Sequence, residues 1–140
     1  MKVTVEQIMQ WASEIETNPE INPKFLAAIA LTESSLNPYA ISVKKAMGLF
    51  QFMPITVRDI RDRLGYNFTD PFDPEQSTKA AKVYLAWLFR HFSDKNKVLA
   101  AWNWGYGNVK THTIYEYPTE TKNFITKVDY YFSELLDSDN

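Results

Sequence analysis

The chain has 140 residues, of which 45% are apolar and 15% aromatic, and its formal net charge is −2. This length suits one domain over residues 1–140, and the apolar fraction can fill a core, so intrinsic disorder is excluded. No basic run exceeds Lys44-Lys45, which argues against nucleic acid held through its phosphates. The absence of cysteine excludes disulfides, thiolate metal sites and cysteine nucleophiles.

The helical spacing of apolar residues, with only four glycines, predicts an all-α fold. A capping box that begins at Thr4 opens a first helix, which is expected to stop near Asn18-Pro19. Asn22-Pro23 opens a second helix ending near Ser34 or Ser35. After a structured loop over residues 36–53, four more helices are predicted: 54–64, one that begins at Asp73-Pro74, 98–104 and 124–135. Because residues 83–89 are apolar almost all round, the helix that begins at Asp73-Pro74 is the predicted buried central helix.

The position of Glu33 conflicts with its charge. It shares a face of the second helix with Phe25, Leu26 and Ile29, and it lies in the last turn, where the helix dipole disfavours an anion. Burial acts in the same direction, so both effects raise the pKa of this carboxyl group. A carboxyl that stays protonated near neutral pH suits general-acid cleavage of a glycosidic bond. The competing interpretation is a glutamate at the edge of the stripe that reaches water.

Four unusual segments follow one another in the chain: Glu33-Ser34, Gly48-Leu49-Phe50-Gln51 with Met53-Pro54, Ala101-Trp102-Asn103-Trp104-Gly105, and Glu120-Thr121 with Phe124. In order and spacing they resemble the motifs of the lytic transglycosylases, which cleave bacterial peptidoglycan. The resemblance extends from about residue 22 to residue 128. It implies a single lysozyme-like helical domain with a substrate cleft.

Three aromatic residues depart from the family pattern. Trp102 and Phe124 stand where the family usually has tyrosine, so a hydroxyl hydrogen bond to the catalytic carboxyl or the substrate must be replaced or absent. Trp104 stands where a small alanine is usual. Its added bulk would either stack on a sugar or plug a subsite, and the cleft is expected to be narrower than usual.

The resemblance also implies a mechanism in which Glu33 is the only catalytic carboxylate. It protonates the oxygen between N-acetylmuramic acid and N-acetylglucosamine, then takes the proton of the muramic acid C6 hydroxyl, which closes a 1,6-anhydro ring. No cofactor or metal is expected, and His91 and His112 are interpreted as surface or hydrogen-bonded core residues. The acidic residues Asp59, Asp62, Asp70 and Asp73 are interpreted as solvated or capping.

Around Glu33 the resemblance implies a set of substrate-binding side chains. The amides of Gln51 and Asn103 would bond sugar hydroxyls and acetamido groups, and Ser34 would orient Glu33 or the substrate. Each of these residues also has a purely structural interpretation, because polar side chains often bond the backbone and aromatic ones often fill cores. The predicted set is Ser34, Gln51, Met53, Trp102, Asn103, Trp104, Tyr106, Glu120 and Phe124.

Two other functions remain open at this point. Goose-type lysozymes share the fold and the catalytic glutamate but deliver water, so their products have reducing ends. A catalytically weakened peptidoglycan-binding or structural protein is the alternative outside enzymes. The order of the residues does not decide between cleavage at strand ends and internal cleavage.

The expected partner is the glycan strand of peptidoglycan. The protein is expected to act as a monomer and not to insert into a membrane. The segment Met1 to Gln7 lacks the apolar core of a signal peptide, although the substrate lies at the cell wall or in the periplasm. Three routes to the wall fit: a phage virion or tail, which we favour, another delivery machine such as a secretion system, or a larger exported protein that contains this domain. The acidic end, residues 137–140, is expected to fray.

Overall fold

The computed structural model describes residues 1–138, and these form seven α-helices and one short 3-10 helix. In chain order they are α1 Val5–Ser13, α2 Pro23–Ser34, α3 Pro54–Asp62, α4 Pro74–His91, α5 Lys95–Trp104, α6 Tyr106–Thr111, the 3-10 helix Ile114–Glu116 and α7 Thr119–Asp137. Extended pairing in this part of the chain is limited to two isolated bridges within the segment 41–52. The all-α prediction is therefore confirmed. No helix among these residues is long and apolar enough to cross a bilayer.

The predicted starts of α1, α2 and α4 are confirmed because their signals are local. The Thr4 hydroxyl accepts a hydrogen bond from the Gln7 amide at 3.1 Å, and the Gln7 side chain accepts one from the Thr4 amide at 2.8 Å. The side chain of Asn22 caps α2, and that of Asp73 caps α4, each followed by a proline in the first turn. These caps satisfy amide groups that have no partner inside the helix.

Several boundaries differ from the prediction. α1 ends at Ser13, five residues before the expected stop, and α3 ends at Asp62. α5 begins at Lys95 because the Asp94 side chain caps it, and α7 begins at Thr119. The short helix α6 was not predicted, because six residues are too few to show a periodic apolar stripe. Of the acidic end, residues 139 and 140 lie outside the described residues, whereas Asp137 closes α7.

Both α2 and α4 contribute to the core, and α2 has the longest unbroken buried segment. All six residues from Phe25 to Ala30 are buried, and α2 packs against α1, α4 and α7. Three of the six are alanines, whose small side chains allow neighbouring helices to approach closely. In α4, by contrast, Val83, Tyr84, Trp87 and Phe89 are only partly buried. Leu85, Ala86 and Leu88 are buried, so the prediction of a buried helix holds for one side of α4, while the other side lines cavities.

The loop 36–53 is fastened to the C-terminal end of α2. The Ser34 hydroxyl donates to the Leu49 carbonyl at 2.7 Å, and the Gly48 amide donates to the Ala40 carbonyl at 2.8 Å. Leu49, Phe50 and Phe52 are buried and anchor the loop in the core. The loop therefore has a defined shape beside Glu33.

Gly48 is expected to be the most sensitive position in this loop. Its φ is +78°, and a Cβ atom would lie 2.0 Å from the Pro71 carbonyl oxygen. Gly65 has nearly the same φ, +79°, with nothing within 4 Å of an added Cβ atom. We expect Gly65→Ala to lower the free energy of unfolding by about 1–2 kcal/mol through backbone strain alone. Gly48→Ala should lower it by at least about 3 kcal/mol, measured by urea unfolding. Equal losses would contradict the close approach.

Candidate active site

Glu33 lies in the last turn of α2 and lines a cavity of about 530 Å³. The loop 36–53, α3, α4, α5 and the start of α7 supply the other walls. The buried face of α2 directs this carboxyl group inward, because the preceding residues of the same face are in the core. Residues that line the cavity together with Glu33 include Gln51, Met53, Tyr84, Trp102, Asn103, Trp104 and Glu120.

The Glu33 carboxyl group is held by a single tryptophan. Trp102 Nε1 donates a hydrogen bond to Glu33 Oε2 at 2.9 Å, across 69 positions of sequence. The indole ring is fixed by Phe50, Phe52 and Tyr84, whose ring centroids lie 6.2, 5.4 and 5.5 Å away. A tryptophan at a position where a tyrosine is usual thus still supplies a donor to the carboxyl. At position 102, the hydroxyl hydrogen bond of the usual tyrosine is therefore replaced by an indole N–H hydrogen bond rather than absent.

The pKa of Glu33 is raised from 4.5 to about 7. Burial is the main cause, because it disfavours the charged form. The hydrogen bond from Trp102 acts against this rise by favouring the carboxylate, and the negative charge of Glu120 adds to it. Near neutral pH both protonation states are populated, so this group can give and accept a proton under the same conditions.

The two amide side chains in the cavity offer opposite groups to a ligand. Gln51 uses its Nε2 hydrogens on the carbonyls of Ala40 and Gly48, at 3.0 and 2.9 Å, so its Oε1 is left as an acceptor. Asn103 Oδ1 accepts from the hydroxyl of Thr121 at 2.8 Å, so its Nδ2 is left as a donor. A sugar hydroxyl or acetamido group can pair with either one.

Ser34 and Tyr106 do not line the Glu33 cavity, unlike most of the predicted set. The Ser34 hydroxyl holds the Leu49 carbonyl, which favours its structural interpretation. Tyr106 packs on Trp87 with centroids 4.9 Å apart, and it lines a neighbouring cavity. Phe124 is buried and lines a third cavity, which also contains Glu33.

Trp104 lines the cavity, and its ring also packs against other aromatic side chains outside the cavity. Its ring packs against His112, with centroids 4.9 Å apart, and against Tyr117 at 6.1 Å. His112 Nδ1 is hydrogen-bonded to the Asn108 carbonyl, and His91 Nδ1 to the Trp87 carbonyl, each at 2.8 Å. Both histidines are exposed and hydrogen-bonded to the backbone, which agrees with their interpretation as surface residues.

Tyr84 is a cavity residue that the sequence interpretation missed. Burial raises its pKa to about 12, and the nearby charge of Asp59 adds to this rise, so the hydroxyl stays protonated. The signal lay within residues 83–89, where the apolar pattern extends round the whole helix. A helix face that packs in a core and one that lines a cleft have the same apolar composition, so the pattern could not separate them.

Most of the chain matches a single known protein family. Residues 10–125 match the family described as the transglycosylase SLT domain. The transglycosylase of Enterobacteria phage PRD1 is 30% identical over 100 residues, which cover 69% of this chain and 36% of the phage protein. Membrane-bound lytic murein transglycosylase F of Pasteurella multocida is 37% identical over 91 residues, which cover 60% of this chain and 17% of that protein.

Solved structures agree with this match. The 70 kDa soluble lytic transglycosylase of Escherichia coli has a TM-score of 0.75 at 25% identity, over 94% of this chain and 24% of that protein. An inactive mutant of the Pseudomonas aeruginosa lytic transglycosylase Slt has a TM-score of 0.78 at 20% identity, with the same coverage. This chain spans well under half the length of each of these relatives. The match over residues 10–125 nevertheless covers most of the chain, which therefore belongs to the transglycosylase SLT domain family and has its lysozyme-like helical fold.

Proposed function

We propose that this chain is a peptidoglycan lytic transglycosylase in which Glu33 acts first as acid and then as base. The bond cleaved is the β-1,4 bond between N-acetylmuramic acid and N-acetylglucosamine, and the product is a 1,6-anhydro-muropeptide. The observation that carries the proposal is one carboxyl group with a pKa of about 7, set in a cavity lined by amides and aromatic rings. The family match supports the same activity.

Glu33 alone donates and accepts the protons that the proposed reaction transfers. Protonated Glu33 gives its proton to the glycosidic oxygen as the bond from that oxygen to the muramic acid anomeric carbon breaks. The resulting carboxylate keeps the Trp102 hydrogen bond and takes the proton from the C6 hydroxyl. The C6 oxygen then bonds to the anomeric carbon, which closes the anhydro ring and leaves Glu33 protonated again. Water is not consumed.

The other cavity residues are assigned to binding in this proposal. The free Gln51 Oε1 accepts from a sugar hydroxyl or acetamido N–H, and the free Asn103 Nδ2 donates to a sugar oxygen. Trp104 and Met53 form apolar walls against which a sugar face can pack. Glu120 acts through its charge, since it raises the pKa of Glu33.

We also propose that the chain acts at the bacterial cell wall on glycan strands. Its relatives include a phage transglycosylase and lytic murein transglycosylases that are named as membrane-bound. The phage relative supports delivery as part of a virion or lysis system. We also propose that the chain acts as a monomer, as is expected from the sequence.

The activity is tested with Glu33→Gln, which removes the acidic carboxyl proton but keeps a side-chain oxygen that can accept the hydrogen bond from Trp102. We expect soluble anhydro-muropeptide release from purified sacculi to fall at least about a hundredfold, measured by mass spectrometry. Binding to sacculi should persist. Glu134→Gln, at an exposed position of α7, is the matched control and should retain activity. Products one water heavier would indicate a lysozyme-like hydrolase, and no products from folded wild-type protein would indicate a binding protein.

The pH dependence of kcat/KM should follow the protonation of Glu33 and fall as pH rises through about 7. Trp102→Phe removes the donor that favours the carboxylate, so the fall should move to higher pH. Glu120→Gln removes the negative charge that raises the pKa, so the fall should move to lower pH. The midpoint of each profile, not its height, is the measured quantity. Shifts of the same sign in both variants would contradict the electrostatic account.

The same raised pKa predicts a pH-dependent cost in stability. Since the folded pKa of Glu33 is about 7 and the ordinary value is 4.5, stability is lost as pH rises through this interval. Glu33→Gln has no such cost, so its advantage over wild type should grow by up to about 3 kcal/mol between pH 4 and pH 8. Urea unfolding of both proteins at each pH measures this difference. A difference that is constant with pH would contradict the burial of the carboxyl.

A further inference from the structure

Glu33 lies within a series of cavities rather than in an isolated pocket. Its own cavity, of about 530 Å³, shares Thr56 and Tyr84 with a cavity of about 390 Å³ on the α3 side. It shares Glu33, Asn103 and Glu120 with a cavity of about 460 Å³ on the α7 side. Neighbouring cavities thus have wall residues in common and flank Glu33 on two sides, and the cavities on each side are called an arm below.

The arm on the α3 side is rich in aromatic rings. Tyr84 and Trp87 are nearly parallel, with an interplanar angle of 12° and centroids 6.2 Å apart, and Tyr106 packs against Trp87. Asp59 and Arg63 are exposed at the rim of this arm. Flat apolar faces edged with charged groups suit a sugar, which has apolar C–H faces and hydroxyls at its edge.

The arm on the α7 side comprises two cavities. After the cavity that contains Glu33 and Phe124 comes another of about 470 Å³, and the two share Thr32 and Lys127. This last cavity runs between α2 and α7 to Tyr130, whose side chain is 61% exposed. Neighbouring cavities therefore follow one another from Glu33 to an exposed part of α7.

We propose that these neighbouring cavities form one groove that holds a glycan strand on both sides of the reacting bond, so that the chain cleaves internal bonds of long strands. This inference rests on the proposed function. An enzyme restricted to strand ends needs a wall that stops the strand one disaccharide beyond the catalytic acid. Among the described residues, cavities instead lie on both sides of Glu33, and each arm is lined in part by exposed residues: Asp59 and Arg63 in one, Tyr130 in the other. Each additional sugar can then contribute contacts in either arm.

The test uses long peptide-free glycan strands and follows their length distribution by chromatography from the first detectable conversion. Internal cleavage predicts that the mean strand length falls early, with products of many lengths and few single disaccharides. Cleavage from the ends predicts anhydro-disaccharides from the start while the remaining strands stay long. That second outcome would overturn the inference.

A variant tests the arm on the α7 side directly. Thr126 is exposed and lines its outer cavity. Ser133 is exposed on the same helix and lines none of the four cavities around Glu33. Thr126→Trp should fill the arm and lower kcat/KM on long strands by about tenfold more than on a tetrasaccharide. Ser133→Trp is the matched control and should change neither. Circular dichroism verifies that both variants are folded. Equal effects of Thr126→Trp on the two substrates would contradict the inference.

The two proposals fail in different ways. If Glu33→Gln and wild type both leave the strands uncut, the proposed function is wrong, and the inference that rests on it is overturned as well. If wild type forms anhydro ends but releases only single disaccharides, the proposed function holds and internal cleavage is wrong. Cleavage to products of many lengths that stops in Glu33→Gln supports both.

Discussion

The burial of α2 is the constraint on which the site depends. Its residues from Phe25 to Ala30 are entirely inside the core, and its last turn, which ends at Ser34, is partly buried against the loop 36–53. Glu33, in the last turn, is therefore carried into a desolvated place where its charged form is disfavoured. The core that stabilises the fold also creates the acid. Stability and chemistry are opposed at this one residue.

Two features make that position tolerable and useful. The loop 36–53 closes over the end of α2, where the Ser34 hydroxyl bonds the Leu49 carbonyl. Trp102 then provides a directed N–H group to the carboxyl, while Glu120 opposes the carboxylate through its charge. Since one pKa unit corresponds to about 1.4 kcal/mol, modest changes in either influence move the acid away from neutrality. The pKa of about 7 is thus a balance of opposed interactions.

A tryptophan in place of the usual tyrosine changes the character of the contact. An indole N–H can only donate, whereas a phenol can donate or accept. The Trp102 hydrogen bond is therefore strongest when Glu33 is a carboxylate, because charge-assisted hydrogen bonds are stronger than neutral ones. In the proposed reaction it favours the state that forms after the proton has left. The aromatic rings around Trp102 keep the donor in place for that step.

The sequence by itself determined what depends on near neighbours: the helix starts at Thr4, Asn22 and Asp73, the direction of the Glu33 pKa shift, and the motifs that carry the family resemblance. Periodic patterns report which residues are apolar but not what they face. Only the tertiary structure decided that α2 has the longest unbroken buried segment, that Trp102 bonds Glu33, and that Tyr84 lines the cavity while Tyr106 lies beyond it. These facts join residues that are dozens of positions apart, so they depend on how helices pack rather than on local preference.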